Sequence, residues 1–270
     1  MTGVLARSAE SVVGALRRFF VADRVAARDG LLQRRDPRAS LLTVAGLALA
    51  AMLTRTLGVL ALLAGATLAL AWLSAVPSRR LLARSAPVPL ASALVVLPQA
   101  ALRPGTSLVA AGGFAITDAG VAYVALFTLR VWVGVALLSI LVMTTRFGAL
   151  VAAMRALRVP VVLVWVVAVT YRYLFLFFDE LRRLVLARNS RTTDSGGVGD
   201  GWRDARHLAG TFLLRTLDRG ERVGRGMRAR GGARPPSPFE RSRRLDAGDG
   251  ALLAVAAVAV VGAGVMRWLP

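Results

Sequence analysis

Apolar residues along this chain come in long runs rather than in the short alternation of water-facing elements, and runs of that length predict membrane-spanning helices. Residues 41 to 76 are largely apolar and carry one charge, Arg55, between Thr54 and Thr56. At about 1.5 Å per residue this run exceeds a single crossing of roughly 30 Å, so it predicts a hairpin of two spans turning at Arg55. The run from Pro89 to Leu102 follows Arg79, Arg80 and Arg84, is short and contains Pro98. It reads as a tilted span or as a segment shielded by its neighbours. Gly105, Gly112, Gly113 and then Gly120 mark residues 104 to 118 as a surface turn ending in a helix N-cap at Thr117 or Asp118. A long span follows from Gly120 to Met143. Arg146, Arg155 and Arg158 separate it from the next, which runs from Pro160 to Phe178, with the proline placed as in a helix first turn. The last span is Ala251 to Leu269.

Between those last two spans the pattern changes. Residues 179 to 250 contain 16 Arg, the densest cluster in the chain, and such clusters stay on the cytoplasmic side. Two amphipathic helices are predicted there, separated by the glycine-rich stretch from Asp194 to Gly201. The first sets Leu181, Leu184, Val185 and Ala187 against Arg182, Arg183, Arg188 and Arg191. The second places Leu208, Phe212, Leu213, Leu217, Val223 and Met227 at helical spacing. Its Gly220 and Gly224 would let another helix cross closely. The expected organisation is a basic N-terminal tail over 1–40, a transmembrane helical domain over 41–178, a cytoplasmic segment over 179–250 and a C-terminal span over 251–270. Five crossings would put the Arg-rich tail and the Arg-rich segment on opposite sides. One crossing is therefore incomplete, with Pro89 to Leu102 the candidate, or the tail is not cytoplasmic. No internal repeat is evident, which disfavours transporters built from inverted halves.

Composition narrows the chemistry. Hydrophobic residues make up 56% of 270 residues and the mean hydropathy is +0.60, too apolar for one water-soluble core. All 35 basic residues are Arg against 15 acidic ones, for a formal charge of +20. Placed between apolar runs, that charge fits membrane topology better than nucleic-acid binding. With no Lys, the chain cannot form a Walker-type phosphate loop or a Schiff base. Cys is absent and His207 is the single His, so no transition-metal site is expected within the chain. The spans hold no His/Asp/Glu/Ser constellation, and no catalytic residue is assigned. Residues 1 to 38 carry eight Arg and lack the apolar core of a signal peptide.

The run from Arg215 to Gly231, with Glu221-Arg222-Val223, Met227 and Ala229-Arg230-Gly231, resembles the transmembrane T component of energy-coupling-factor (ECF) transporters. In that family the pattern occupies a coupling helix. A first motif would fall at Ala187-Arg188-Asn189-Ser190-Arg191-Thr192, where Ser190-Arg191-Thr192 stands in place of Ala-Arg-Gly and either Arg188 or Arg191 could be the coupling arginine. Leu31-Leu32-Gln33-Arg34-Arg35-Asp36-Pro37-Arg38, Thr144-Thr145, Pro160 and Tyr171-Arg172-Tyr173 before Glu180 are also similar to the family pattern, extending the likeness from about residue 20 to 232. Ala22-Asp23-Arg24-Val25-Ala26 ahead of the Leu-Leu-Gln run is similar to the cobalt/nickel, CbiQ-like branch.

The resemblance implies an all-α, polytopic protein of the cell membrane with about five to six membrane helices and an inserted cytoplasmic pair of coupling helices. It implies a non-enzymatic subunit that links ATP-binding-cassette ATPases to a substrate-binding membrane (S) subunit, with ATP held by partner chains and no cofactor of its own. Cobalt is the expected cargo; nickel, a vitamin such as biotin, and a membrane scaffold whose Arg-rich helices bind anionic lipid are the alternatives. The ATPase-coupling residues would be Arg188, Arg191, Glu221, Arg222, Ala229, Arg230 and Gly231. A planar guanidinium suits that task because it binds a carboxylate through two parallel hydrogen bonds and keeps its charge when partly buried.

Four further features stand apart from the motif. Arg130 and Arg172 lie inside apolar spans, where a charge is costly, and would bond backbone carbonyls, snorkel or face a partner protein. Asp179 and Glu180 are expected to pair with Arg182, Arg183 or the cytoplasmic helices rather than with each other. Asp36 before Pro37 is expected to start a helix, and His207 to lie at the surface or an interface.

Overall fold

The computed structural model describes residues 30–111, 114–190, 198–231 and 246–268. They divide into two compact units, one drawn from 22–157 with 240–270 and the other from 158–239.

In the larger unit, α1 (Pro37–Leu53) and α2 (Leu57–Leu73) form the hairpin expected from the apolar run, with Thr54, Arg55 and Thr56 as its turn. Three short helices, α3 (Ser78–Ser85), α4 (Pro87–Val96) and α5 (Gln99–Leu102), then follow one nearly continuous helical path. A two-stranded antiparallel hairpin, β1 (Ser107–Ala111) and β2 (Phe114–Thr117), leads into the long α6 (Asp118–Thr144). Thr117 is the N-cap, its hydroxyl accepting from the Gly120 N–H at 3.2 Å. After α7 (Phe147–Ala156), the unit is completed by α10 (Ala247–Trp268).

α6 is the centre of this unit and packs on α1 to α5. Its Val133, Ala136, Leu137 and Ile140 are fully buried, against Leu47 and Ala50 of α1 and Leu60 and Leu63 of α2. α10 packs along α1, and the two cross where Gly46 meets Ala256: a Cβ on Gly46 would lie 3.1 Å from that of Ala256. A larger side chain there would force the helices apart.

The Leu-Leu-Gln-x-x-Asp-Pro-Arg run ties this unit together. Leu32 is buried in a 3-10 turn, Leu31 donates its N–H to the Leu73 carbonyl at 3.0 Å, and Gln33 Nε2 donates to the Ser74 carbonyl at 2.8 Å. Asp36 caps α1 by accepting from the Arg38 N–H at 2.8 Å, as expected of an Asp-Pro helix start. Asp249 was not singled out from the sequence. Only 2% exposed, it accepts from the Asp246 N–H at 3.0 Å and from the Asp36 N–H at 3.3 Å, so one carboxylate holds the starts of α10 and α1 together. Its place three residues after Asp246 is that of a capping-box acid.

The smaller unit contains α8 (Val161–Asn189) and α9 (Val198–Ala229). α8 is one unbroken helix of 29 residues without an internal Gly or Pro. α9 meets it through a half-buried stripe, Leu208, Phe212, Thr216, Arg219, Val223 and Met227, at helical spacing. Phe177 and Phe212 pack edge to face, with ring centroids 6.1 Å apart.

Among the described residues, four helical segments are long and apolar enough to cross a membrane: 78–102, 118–144, 161–188 and 247–266. α1 and α2, at 17 residues each, are at the short end of that range. The protein is thus a polytopic all-α membrane protein, apart from the β1–β2 hairpin among the described residues. Four expectations need correction. The run from Pro89 to Leu102 is not a short crossing, because helix begins at Ser78: Leu81 and Ser85 are buried while Arg79, Arg80 and Arg84 are exposed, and its prolines sit at helix starts. The separator between Arg146 and Arg158 is itself a helix, burying Ala149, Val151 and Ala153. The first amphipathic helix is no separate element but the polar end of α8, and the residues from Val198 to Gly201 are the first turn of α9 rather than part of the break. Residues 191–197 lie outside the described residues.

Candidate functional site

Those arginines singled out for docking that are described sit at and near the ends of two helices. α8 ends at Asn189 with Arg188, half-buried, in its last turn, and Ser190 Oγ donates to the Ala187 carbonyl at 2.9 Å. Arg191 and Thr192 lie outside the described residues. α9 ends at Ala229. Arg230 follows, its N–H donating to the Met227 carbonyl at 3.2 Å, and Gly231 donates to the Arg228 carbonyl at 3.2 Å. Gly231 has φ +97°, the left-handed conformation that closes helix C-termini and that glycine adopts without a Cβ clash. In Ala229-Arg230-Gly231 the alanine ends the helix, the glycine turns the chain away and the arginine is left exposed at the negative end of the helix dipole. Counted from the helix ends, Arg188 occupies the place of Arg228, and Ser190 that of Arg230.

Glu221 and Arg222 are exposed on α9, two turns before its end. Nothing among the described residues lies within 4 Å of a Cβ built on Gly220, and Gly224 would meet only the Arg228 guanidinium at 3.6 Å. The close helix crossing expected at these glycines is therefore not made by any described part of this chain.

The carboxylates at the end of the apolar part of α8 separate as expected. Asp179 is exposed, whereas Glu180 accepts from Arg215 Nη1 of α9 at 2.6 Å. Phe177, Glu180, Arg215, Thr216, Arg219 and Arg222 line a cleft of about 300 Å³ at this crossing. The pairing of Glu180 with Arg215 was foreseen in kind; the cleft was not, since it depends on which turns of two separate helices meet. His207 is exposed.

Of the two arginines in apolar spans, Arg130 on α6 bonds backbone. Its Nε donates to the Ala51 carbonyl at 3.1 Å and its Nη2 to the Thr54 carbonyl at 2.6 Å. One guanidinium thereby closes the C-terminal end of α1, where helix carbonyls lack partners of their own. Arg172 on α8 has no hydrogen-bond or ion-pair partner among the described residues.

A family model described as CbiQ, cobalt transport protein, matches residues 29–238, a span that runs from the Leu-Leu-Gln latch to just beyond Gly231. The chain belongs to the CbiQ family. It is accordingly a multi-pass protein of the cell membrane and a component of membrane transport, in the T component family of ECF transporters. α10 falls outside the stretch matched to CbiQ, although it packs along the first helix of that stretch. A similar protein, an uncharacterized protein of Methanocaldococcus jannaschii, is 26% identical over 208 residues, covering 75% of this chain and 71% of that one.

Proposed function

We infer that this CbiQ-family chain is the coupling subunit of an ATP-driven ECF importer, which docks ATP-binding-cassette ATPases through its Arg-tipped helix ends and a substrate-binding membrane subunit through its spans. The observation that carries this reading is the end of α9, where a left-handed glycine leaves Arg230 exposed at the helix terminus. The end of α8, with Arg188 in its last turn and Arg191 just beyond, supplies the second contact. Forked guanidinium groups at two helix ends suit two acidic grooves on a pair of partners. The chain brings no Lys for a phosphate loop, in keeping with ATP being bound and hydrolysed by those partners. Cobalt is the cargo, with the ion held by the substrate-binding subunit, in line with the family description.

Co-purification with the ATPase subunits tests the docking. Arg191→Glu together with Arg230→Glu should abolish their association while the variant remains monodisperse in detergent; intact association would overturn the assignment. Cobalt uptake by the assembled complex, competed with nickel and biotin, tests the cargo separately. Transport of either competitor in place of cobalt would change the substrate and leave the docking role standing.

A further inference from the structure

The cleft at the crossing of α8 and α9 lies away from the two helix ends, and of its lining only Arg222 belongs to the expected ATPase-coupling set. Three arginines, 215, 219 and 222, and one carboxylate, Glu180, line it, for a local charge of +2. Arg215 is taken up by Glu180, while neither Arg219 nor Arg222 has a hydrogen-bond or ion-pair partner among the described residues. Arg219 is half-buried in the seam between the helices, so its charge is partly withdrawn from water without a counter-ion among the described residues. That is the electrostatic setting of an anion site.

Its position along α8 selects the kind of anion. Residues 161 to 178 contain one charge, Arg172, and the polar part of the helix begins at Asp179. Phe177 is thus in the last apolar turn and Glu180 in the first polar one, so the cleft spans the level at which lipid headgroups meet hydrocarbon. A lining that joins Phe177 to guanidinium groups matches a phosphate joined to acyl chains better than a free ion. A volume of about 300 Å³ is at the small end of ligand sites and suits a headgroup.

We propose that this cleft binds the headgroup phosphate of an anionic phospholipid, with Arg219 and Arg222 as its ligands and Glu180 as the group that limits its affinity. Inorganic phosphate shares the oxyanion chemistry, and an acidic protein segment would be a different occupant. Both are separated from lipid by the test.

The full-length chain, purified in detergent without partners, would be titrated with phosphatidylglycerol, phosphatidylcholine, inorganic phosphate and a poly-glutamate peptide, with bound species read by native mass spectrometry. Phosphatidylglycerol should be retained over phosphatidylcholine. Arg219→Gln with Arg222→Gln should weaken it about 30-fold, at about five-fold per arginine. Arg203→Gln with Arg206→Gln, at exposed positions of α9 outside the lining of the cleft, removes the same charge and should leave binding unchanged. Glu180→Gln should strengthen binding, a gain that damage to the fold would not produce. Equal loss in the two double variants would reduce the effect to diffuse attraction, and equal retention of both lipids or no gain from Glu180→Gln would also overturn the proposal. Displacement of phosphatidylglycerol by millimolar phosphate or by the peptide would assign the cleft to that occupant instead. Because no ATPase is present, these outcomes are independent of the docking test.

Discussion

At the scale of single residues, the charges that matter are those whose partners are backbone. Arg130 would be an expensive group in an apolar span were it not donating to two carbonyls at the end of α1. Charge-assisted hydrogen bonds contribute about 1.5–3 kcal/mol each, and their loss leaves the acceptors unpaired. Arg130→Leu should therefore lower the melting temperature in detergent by several degrees. Arg130→Lys should recover only part of that, since an ammonium is not the flat fork that reaches two carbonyls at once. An unchanged melting temperature for the leucine variant would show that the α1 terminus is held by other means. Asp249 has the same character: its carboxylate serves two backbone N–H groups from distant parts of the sequence.

At the scale of elements, helix ends are where function and fold meet. Gly231→Ala would put a Cβ into the left-handed region at a cost of about 1–2 kcal/mol, whereas Gly231→Asn should be better tolerated. Hydrogen exchange over residues 225–231 should speed up in the alanine variant and much less in the asparagine one; equal exchange in both would mean that the glycine is not what closes α9. The apolar runs made most helices legible in the sequence: the hairpin at Arg55, the cap at Thr117 and the span from Pro160 were all readable from local pattern. Three of the helix boundaries escaped for one cause, the use of arginines as punctuation. Arg79, Arg80 and Arg84 hid the start of a helix, Arg146 to Arg158 hid a whole one, and Arg182 and Arg183 made α8 look finished when it continues to Asn189. On a helix, exposed arginines alternate with buried positions at 3.6-residue spacing, so charge marks a face and not an end. The helix end at Ala229-Arg230-Gly231 was legible by its motif. The cleft at Glu180 and Arg219 and the buried Asp249 were not, because each depends on contacts between remote segments.

At the scale of the whole molecule, the two long helices of the smaller unit differ in stiffness. α9 contains glycines at 199, 201, 210, 220, 224 and 226, each costing about 1 kcal/mol in helix propensity, while α8 has neither glycine nor proline from Val161 to Asn189. Arg183→Gly with Leu186→Gly would soften α8 between its apolar part and its tip without touching the terminal arginines. If the docking role holds, that variant should keep its ATPase partners but lose several-fold in cobalt uptake, measured on the same preparation. Full uptake would mean that rigidity here is not used. The uninterrupted α8 is a rod of about 44 Å, and a rod moves its far end in proportion to its length. A swing of about 10° at the docking end would carry the opposite end through roughly 8 Å. If the docking role holds, leverage of that size would turn a modest rotation in the aqueous phase into a displacement nearly as wide as a helix inside the bilayer.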